Sequence, residues 1–106
     1  MNLLWSVLKK KENSKPVSKA FYALVRGRVQ GVGFRYSTVM EARQLHINGW
    51  VRNSRDGNVE VWAEGPDDKL ALFLDWLYEG PSFSRVESIR KENVAPKGYQ
   101  DFNVEH

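Results

Sequence analysis

The sequence predicts a single α+β domain, and three observations support this fold class. Apolar residues recur with the spacing of strands in some segments and of helices in others. Turn-forming residues separate these segments from one another. The chain has 106 residues, of which 42% are hydrophobic and 27% charged. This length suits one hydrophobic core and leaves no room for a second domain.

The first half of the chain contains a strand, a helix and a hairpin. Residues 20–29 (AFYALVRGRV) are rich in strand-forming residues and end at glycines. Residues 35–47 carry apolar side chains at helical intervals. Two strands follow at residues 49–54 and 58–65. The Asp56-Gly57 pair between them supplies the positive φ angles that a tight antiparallel turn needs.

The second half contains another helix and further strands. Pro66, followed by two aspartates, is typical of a helix start, because proline is tolerated in the first turn and carboxylates stabilise the positive end of the dipole. Gly80-Pro81 ends this helix, and residues 84–93 and 99–106 have the pattern of strands. The order is β-α-β-β-α-β plus a short C-terminal strand, the ferredoxin-like or split βαβ pattern. It predicts an antiparallel sheet with two helices on one face.

The formal net charge of +3 is concentrated at the start of the chain. Residues 1–19 contain five lysines and one glutamate, so residues 20–106 carry a formal charge of about −1. An apolar run at residues 3–8 is too short to span a bilayer. In a secretory signal the positive charges precede the apolar run, whereas here the lysines follow it. We therefore expect a cytoplasmic protein with a flexible extension at residues 1–19 and a folded domain at residues 20–106. Contact of the extension with an anionic membrane or with a partner is the alternative.

The sequence gives little support for a metal site. It contains no cysteine, so thiolate ligands and disulfides are both excluded. His46 and His106 are far apart and lack the spacing of a zinc site. We expect His46 to lie on the surface near the end of the first helix, and His106 to be a mobile last residue.

A loop rich in glycine and arginine, residues 27–35 (GRVQGVGFR), connects the first strand to the first helix. It fits neither a P-loop nor a dinucleotide-binding motif. Gly31 and Gly33 permit a turn whose backbone N–H groups converge on an anion, and Arg35 at the helix start can pair with two phosphate oxygens. The predicted phosphate-binding residues are Gln30, Gly31, Val32, Gly33, Phe34 and Arg35. On spacing alone, an ordinary strand-to-helix connection explains the glycines equally well.

Three motifs together resemble the acylphosphatase family. They are residues 27–35, GWVRN at residues 49–53 and DGNVEVWAEG at residues 56–65, and the resemblance covers most of the chain. Members of this family hydrolyse the carboxyl–phosphate bond of acyl phosphates without a metal or an organic cofactor. The resemblance implies an acyl phosphate as the small-molecule substrate and inorganic phosphate as a product. It also implies that Arg35 and Asn53 are the catalytic residues.

Asn53 shows how the resemblance changes the interpretation. By position alone it is a turn-forming residue at the end of a strand. The resemblance favours a catalytic role instead, in which the carboxamide of Asn53 orients an attacking water. Ser54 could lend its hydroxyl to that arrangement. A carboxylate leaving group, with a conjugate acid of pKa ~4, departs without a dedicated general acid. We therefore expect the loop and Arg35 to stabilise the phosphoryl charge and Asn53 to place the water.

RNA binding is one alternative function for this fold pattern. RNA-recognition domains stack bases on aromatic residues of an open sheet face, where Tyr22 and Trp62 are expected. The core residues expected on the opposite face are Ala23, Val25, Val59 and Val61. The near-neutral charge of residues 20–106 argues against RNA binding, and so does the lack of a basic-glycine-aromatic string in the third strand.

A non-catalytic anion-binding module is the other alternative, and the acylphosphatase-like module of larger maturation enzymes is related to it. Nothing in the sequence suggests a second domain beside this one. We expect a monomer that binds no nucleic acid.

Overall fold

The computed structural model describes residues 18–106. The predicted extension lies outside the described residues except for Ser18 and Lys19. The elements follow the predicted order, and their bounds are β1 Lys19–Arg28, α1 Phe34–Gln44, β2 Asn48–Asn53, β3 Val59–Gly65, α2 Asp67–Glu79, β4 Arg85–Val94 and β5 Phe102–Val104.

The strands form one five-stranded sheet in the order β4-β1-β3-β2-β5. The predicted α+β, ferredoxin-like fold is confirmed. The four longer strands, β1 to β4, pair antiparallel with one another, as expected. β5 differs, because it runs parallel to β2, with Gly49 opposite Phe102 and Val51 opposite Val104. The sheet is therefore mixed rather than wholly antiparallel.

The end of β4 explains the direction of β5. Val94 lies opposite Ala20, and Ala20 and Asn48 both lie opposite Glu64, so β4 ends at the same end of the sheet at which β2 begins. The chain then crosses this end of the sheet at residues 95–101. It enters β5 beside the start of β2 and has to run in the same direction.

Glu64 anchors this crossover. Its side chain is 4% exposed. It accepts hydrogen bonds from the backbone N–H groups of Lys97, Gly98 and Tyr99 at 2.5, 3.0 and 3.0 Å, and from the indole of Trp62 at 2.8 Å. Burial opposes ionisation, but these hydrogen bonds outweigh it and hold the pKa of Glu64 below its usual value. The ionised carboxylate thus fixes the segment that leads to β5.

The hydrophobic core lies between the sheet and the two helices. The four predicted core residues, Ala23, Val25, Val59 and Val61, are fully buried. The helices contribute their own buried side chains to the same cluster, among them Phe34, Val39, Ala42, Leu70, Phe73 and Leu77. Each large apolar side chain buried in this way stabilises the fold by about 1.5–3 kcal/mol.

The opposite face of the sheet carries aromatic residues that are only partly exposed. Tyr22 and Trp62 are paired across β1 and β3, and Trp50 stacks on Trp62 with ring centroids 6.4 Å apart. The guanidinium of Arg52 lies 4.7 Å from the ring centroid of Trp50, and the ammonium of Lys97 lies 4.5 Å from that of Trp62. Both indole rings therefore already contact a cation of this chain.

Candidate active site

The connection between β1 and α1 has the backbone of a tight turn. Gly31 and Gly33 have φ angles of 73° and 76°, in the left-handed region that L side chains rarely adopt. A Cβ atom added at either position would meet no atom within 4 Å. Glycine is therefore required at these two positions by the backbone conformation and not by lack of space.

This turn presents free backbone donors. Among residues 18–106, no acceptor receives a hydrogen bond from the N–H groups of residues 30–34. α1 begins directly afterwards at Phe34, with no side-chain cap and no acidic residue in its first turn. The positive end of this helix is thus not neutralised by its own residues. Such a group of donors is suited to an anion.

Gln30 connects the loop to the turn between β2 and β3. Its side-chain amide donates to the carbonyl oxygens of Ser54 at 2.9 Å and of Asn58 at 2.7 Å. Its side chain therefore does not point into the cavity described below. Val32 also lies outside that cavity and packs, half-buried, against the core. Both residues hold the loop in place through side chains that do not line this cavity.

Arg35 is a cation without an ionic partner in the described part of the chain. It is the second residue of α1, and it is half-buried. Arg43, the other arginine that lines the cavity described below, is engaged, because it donates to the carbonyl oxygen of Phe102 at 3.1 Å. Arg35 is thus available for a ligand.

Asn53 is the last residue of β2, opposite Val59. Its exposed side chain forms no hydrogen bond with the other described residues. The expectation that Ser54 assists it is wrong. The Ser54 hydroxyl donates to the carboxylate of Asp56 and accepts from the backbone N–H of Asn58 at 3.1 Å, so it belongs to the hairpin turn.

A cavity of about 450 Å³ brings the two predicted catalytic residues together. The chain folds this way because β1 and β2 run in the same direction, so the loop after β1 and Asn53 at the end of β2 lie at one end of the sheet. The lining residues are Val29, Gly31, Gly33, Phe34, Arg35, Tyr36, Val39, Met40, Arg43, Asn53, Val104 and His106.

Several of these lining residues were not predicted. Tyr36, Met40 and Arg43 follow one another at intervals of four and three along α1, a spacing that could have marked them as one helix face. Val104 and His106 reach the cavity because β5 is parallel to β2. His106, which we expected to be a mobile last residue, thus lines the cavity. The N–H of Glu105, which donates to the carbonyl oxygen of Val51 at 2.9 Å, holds this segment beside β2.

Residues 18–106 give little support for a metal site or for a membrane-spanning helix. They contain no group of three or more His, Cys, Asp or Glu side chains that could hold a metal ion. His46 is exposed beyond the end of α1 and does not line the cavity. No helix in this part of the chain is long and apolar enough to cross a membrane.

Comparison with known sequences identifies relatives over most of the chain. Residues 21–104 match the family model described as Acylphosphatase. The chain is 43% identical over 81 residues to an acylphosphatase of Vibrio parahaemolyticus serotype O3:K6, covering 76% of this chain and 90% of that protein. It is 50% identical over 80 residues to an acylphosphatase of Legionella pneumophila (strain Paris), covering 76% of this chain and 88% of that protein.

Solved structures agree with the sequence comparison. The crystal structure of acylphosphatase from Bacillus subtilis is 39% identical, with a TM-score of 0.81, over 83% of this chain and 99% of that chain. Full-length HypF, crystallised in a phosphate- and nucleotide-bound form, is similar over only 12% of its own length, with a TM-score of 0.79 and 28% identity over 89% of this chain. The match to the family model and the sequence relatives show that this chain belongs to the acylphosphatase family.

Proposed function

We propose that this protein is an acylphosphatase that hydrolyses the carboxyl–phosphate bond of acyl phosphates and releases a carboxylate and inorganic phosphate. Family membership and the acylphosphatases at 43% and 50% identity support this activity. The observation that carries the mechanism is the shared cavity, where the loop N–H groups, Arg35 and Asn53 meet, all without a partner among residues 18–106.

The loop and Arg35 bind the phosphoryl group. The free N–H groups of residues 30–34 donate to its oxygens, and the positive end of α1 adds to their field. The planar guanidinium of Arg35 pairs with two oxygens at once. These donors are fixed by the backbone before substrate arrives, so they stabilise the charge of the transition state without reorganisation.

Asn53 positions the attacking water. A carboxamide accepts one hydrogen of the water through its oxygen and donates to the water oxygen through its nitrogen. Its side chain is free to do so, because it forms no hydrogen bond with the other described residues. The water attacks phosphorus in line with the bond to the carboxylate. Holding it there removes much of the entropic cost of bringing the two reactants together.

The reaction needs no general acid from the protein. The oxygen of water forms a bond to phosphorus while the bond from phosphorus to the acyl oxygen breaks, and the electron pair leaves with the carboxylate. This leaving group is stable because its conjugate acid has a pKa of ~4. The water proton passes to a phosphoryl oxygen of the substrate, which completes the inorganic phosphate.

The remaining properties of the protein are also proposals. We place the active domain at residues 20–106, which the start of β1 at Lys19 and the family match from residue 21 support. We propose a cytoplasmic monomer that needs no cofactor and binds no nucleic acid. The contacts of Arg52 and Lys97 with the indole rings support the last point, since these cations occupy positions that a stacked base would need.

Turnover of benzoyl phosphate by the purified full chain tests the proposed function. Phenyl phosphate, an ordinary monoester of similar size, is the matched substrate control. We expect benzoyl phosphate to be hydrolysed at least ~100-fold faster, because a carboxylate leaves without protonation whereas the much more basic phenoxide does not. Equal rates on both substrates, or no turnover of benzoyl phosphate, would refute the proposal and favour a non-catalytic anion-binding module.

A further inference from the structure

The first two turns of α1 expose large apolar side chains beside the anion site. Tyr36 is 71% exposed and Met40 is 51% exposed. They lie four residues apart, so they project from the same face of the helix. Tyr36 directly follows Arg35. An isolated exposed apolar residue needs no explanation, but an apolar strip that borders a polar site calls for a ligand.

This strip joins two cavities. Tyr36 and Met40 line the cavity that contains Arg35 and Asn53. They also line a wider, open groove of about 850 Å³, whose far side is formed by Trp76 of α2 and by Pro81. The strip therefore forms a continuous surface that leads from the anion site to the groove between the two helices.

The substrate has two parts, and the anion site accommodates only one of them. The loop and Arg35 bind the phosphoryl group, so the acyl group has to extend along the remaining wall of the cavity. Most of that wall is apolar and consists of Tyr36, Val39, Met40 and Val104, although Arg43 and the exposed His106 also line the cavity. The nearby cation, Arg43, is already hydrogen-bonded to the carbonyl oxygen of Phe102 and to Asn103. The wall therefore suits a hydrocarbon better than a second charged group.

We propose that Tyr36 and Met40 form an acyl-group subsite, which makes acyl phosphates with extended hydrocarbon acyl groups better substrates than acetyl phosphate. This inference rests on the proposed acylphosphatase activity. The subsite binds the acyl group equally in the ground state and the transition state, because the hydrocarbon takes no part in the bond changes. Its contribution is therefore expected mainly in KM.

A series of straight-chain substrates tests this inference. Acetyl, butyryl and hexanoyl phosphate release carboxylates of nearly equal basicity, so the chemical step stays constant while the apolar surface grows. Full burial of a methylene group corresponds to about a fourfold gain in affinity, and contact with an open wall should give about 1.8-fold for each of the four added methylene groups. We expect kcat/KM to rise about 10-fold from acetyl to hexanoyl phosphate, chiefly through KM.

Serine variants at the two positions identify the residues responsible. In the double variant Tyr36→Ser, Met40→Ser, the ratio of kcat/KM for hexanoyl to acetyl phosphate should fall from about 10 to about 2. The matched control is Leu72→Ser, Tyr78→Ser on α2, where the side chains are 53% and 54% exposed and line neither cavity. This control should keep the wild-type ratio.

The outcomes separate the inference from the function on which it rests. If kcat/KM in the wild type were the same for all three substrates, or if the ratio were unchanged in the Tyr36→Ser, Met40→Ser variant, the proposed subsite would be refuted. The proposed acyl phosphate hydrolysis would stand in either case. An equally large decrease of this ratio in the α2 control would also refute the subsite, because the decrease would then not depend on the position of the substituted side chains. Failure to hydrolyse any of the three substrates would refute the proposed function together with the subsite.

Discussion

The side-chain amide of Gln30 donates a hydrogen bond to the carbonyl oxygen of Ser54 at 2.9 Å. Gln30 belongs to the loop that we propose to bind phosphate, and Ser54 directly follows Asn53. A second bond from the same amide, to the carbonyl oxygen of Asn58 at 2.7 Å, fixes the loop to both sides of the hairpin turn. This residue therefore sets the distance between the anion site and the residue that we propose to orient the water.

Replacing Gln30 should lower the rate without abolishing phosphate binding. In Gln30→Ala, the loop keeps its glycines and Arg35, but its position relative to Asn53 is no longer fixed. We expect kcat to fall by about 10-fold, and the free energy of unfolding to decrease by about 1–2 kcal/mol. Kinetics on benzoyl phosphate and urea unfolding measure the two effects.

Gln100→Ala is the control for this substitution. Gln100 is exposed, and its side-chain amide donates only to the carbonyl oxygen of Gly98 at 3.1 Å. It should retain normal turnover. If Gln30→Ala kept full activity as well, Gln30 would have no role in positioning the loop.

Gly33→Ala should weaken phosphate binding through the backbone. An alanine at φ 76° is strained by about 1–2 kcal/mol, and relief of this strain would turn the loop N–H groups away from the anion. Gly57→Ala provides the matched control. Gly57 has φ 88° and equally open surroundings, but it lies in the hairpin turn outside the cavity. Thermal unfolding should show similar losses of stability in both variants, whereas calorimetric titration should show weaker phosphate binding only in Gly33→Ala.

Glu64 should make the fold sensitive to acid. Its pKa is lowered in the folded state, so its ionised form contributes stability above the unfolded pKa of about 4.3. This contribution is lost as the pH falls through the lower, folded pKa. We expect Glu64→Gln to be less stable than the wild type by about 1–3 kcal/mol at pH 7, with the difference shrinking below pH ~4.

Urea unfolding of both proteins from pH 7 to pH 3 measures this difference. Glu92→Gln serves as the control, because Glu92 is exposed on β4 and its side chain forms no hydrogen bond with the other described residues. If the free energies of unfolding of the wild type and of Glu64→Gln differed by the same amount at every pH, the charge of Glu64 would not stabilise the crossover at residues 95–101.

Removal of metal ions should leave the activity unchanged. In the proposed mechanism, the loop N–H groups and Arg35 provide the positive charge that a metal would otherwise supply to the phosphoryl group. Turnover of benzoyl phosphate should therefore be the same with and without excess EDTA. A loss of activity that an added divalent cation restores would contradict the proposed mechanism.

The sequence was sufficient to predict the elements that carry a local signal. The glycines of the loop, the Asp56-Gly57 turn and the helix start at Pro66 each depend on backbone preferences of a few neighbouring residues. Arg35 and Asn53 needed the resemblance, because an arginine after glycines and an asparagine at a strand end also occur in ordinary connections.

Contacts between distant residues could not be predicted in the same way. The side chain of Gln30 reaches a turn more than 20 positions away, which no local pattern indicates. His106 lines the cavity only because the crossover bound by Glu64 delivers β5 parallel to β2. Such relationships depend on the path of the chain across the whole sheet.

The separate roles of Arg35 and Asn53 form the central claim. Arg35 is assigned to the phosphoryl oxygens, which are present both in inorganic phosphate and in the transition state. Asn53 is assigned to the attacking water, which inorganic phosphate does not need in order to bind. Arg35→Gln should therefore weaken phosphate binding and also reduce the rate. Asn53→Ala should lower kcat by about 100-fold or more at nearly unchanged phosphate affinity.

Calorimetric titration of phosphate into both variants, together with their turnover of benzoyl phosphate, tests this claim most directly. Arg90→Gln and Asn93→Ala, exposed on β4 and outside the cavity, are the controls and should behave like the wild type. Circular dichroism establishes that each variant is folded. Only Arg35→Gln is expected to lose phosphate binding, whereas both variants should lose turnover. Near-normal turnover in Asn53→Ala, or a loss of its phosphate binding as large as that in Arg35→Gln, would contradict the proposed division of roles.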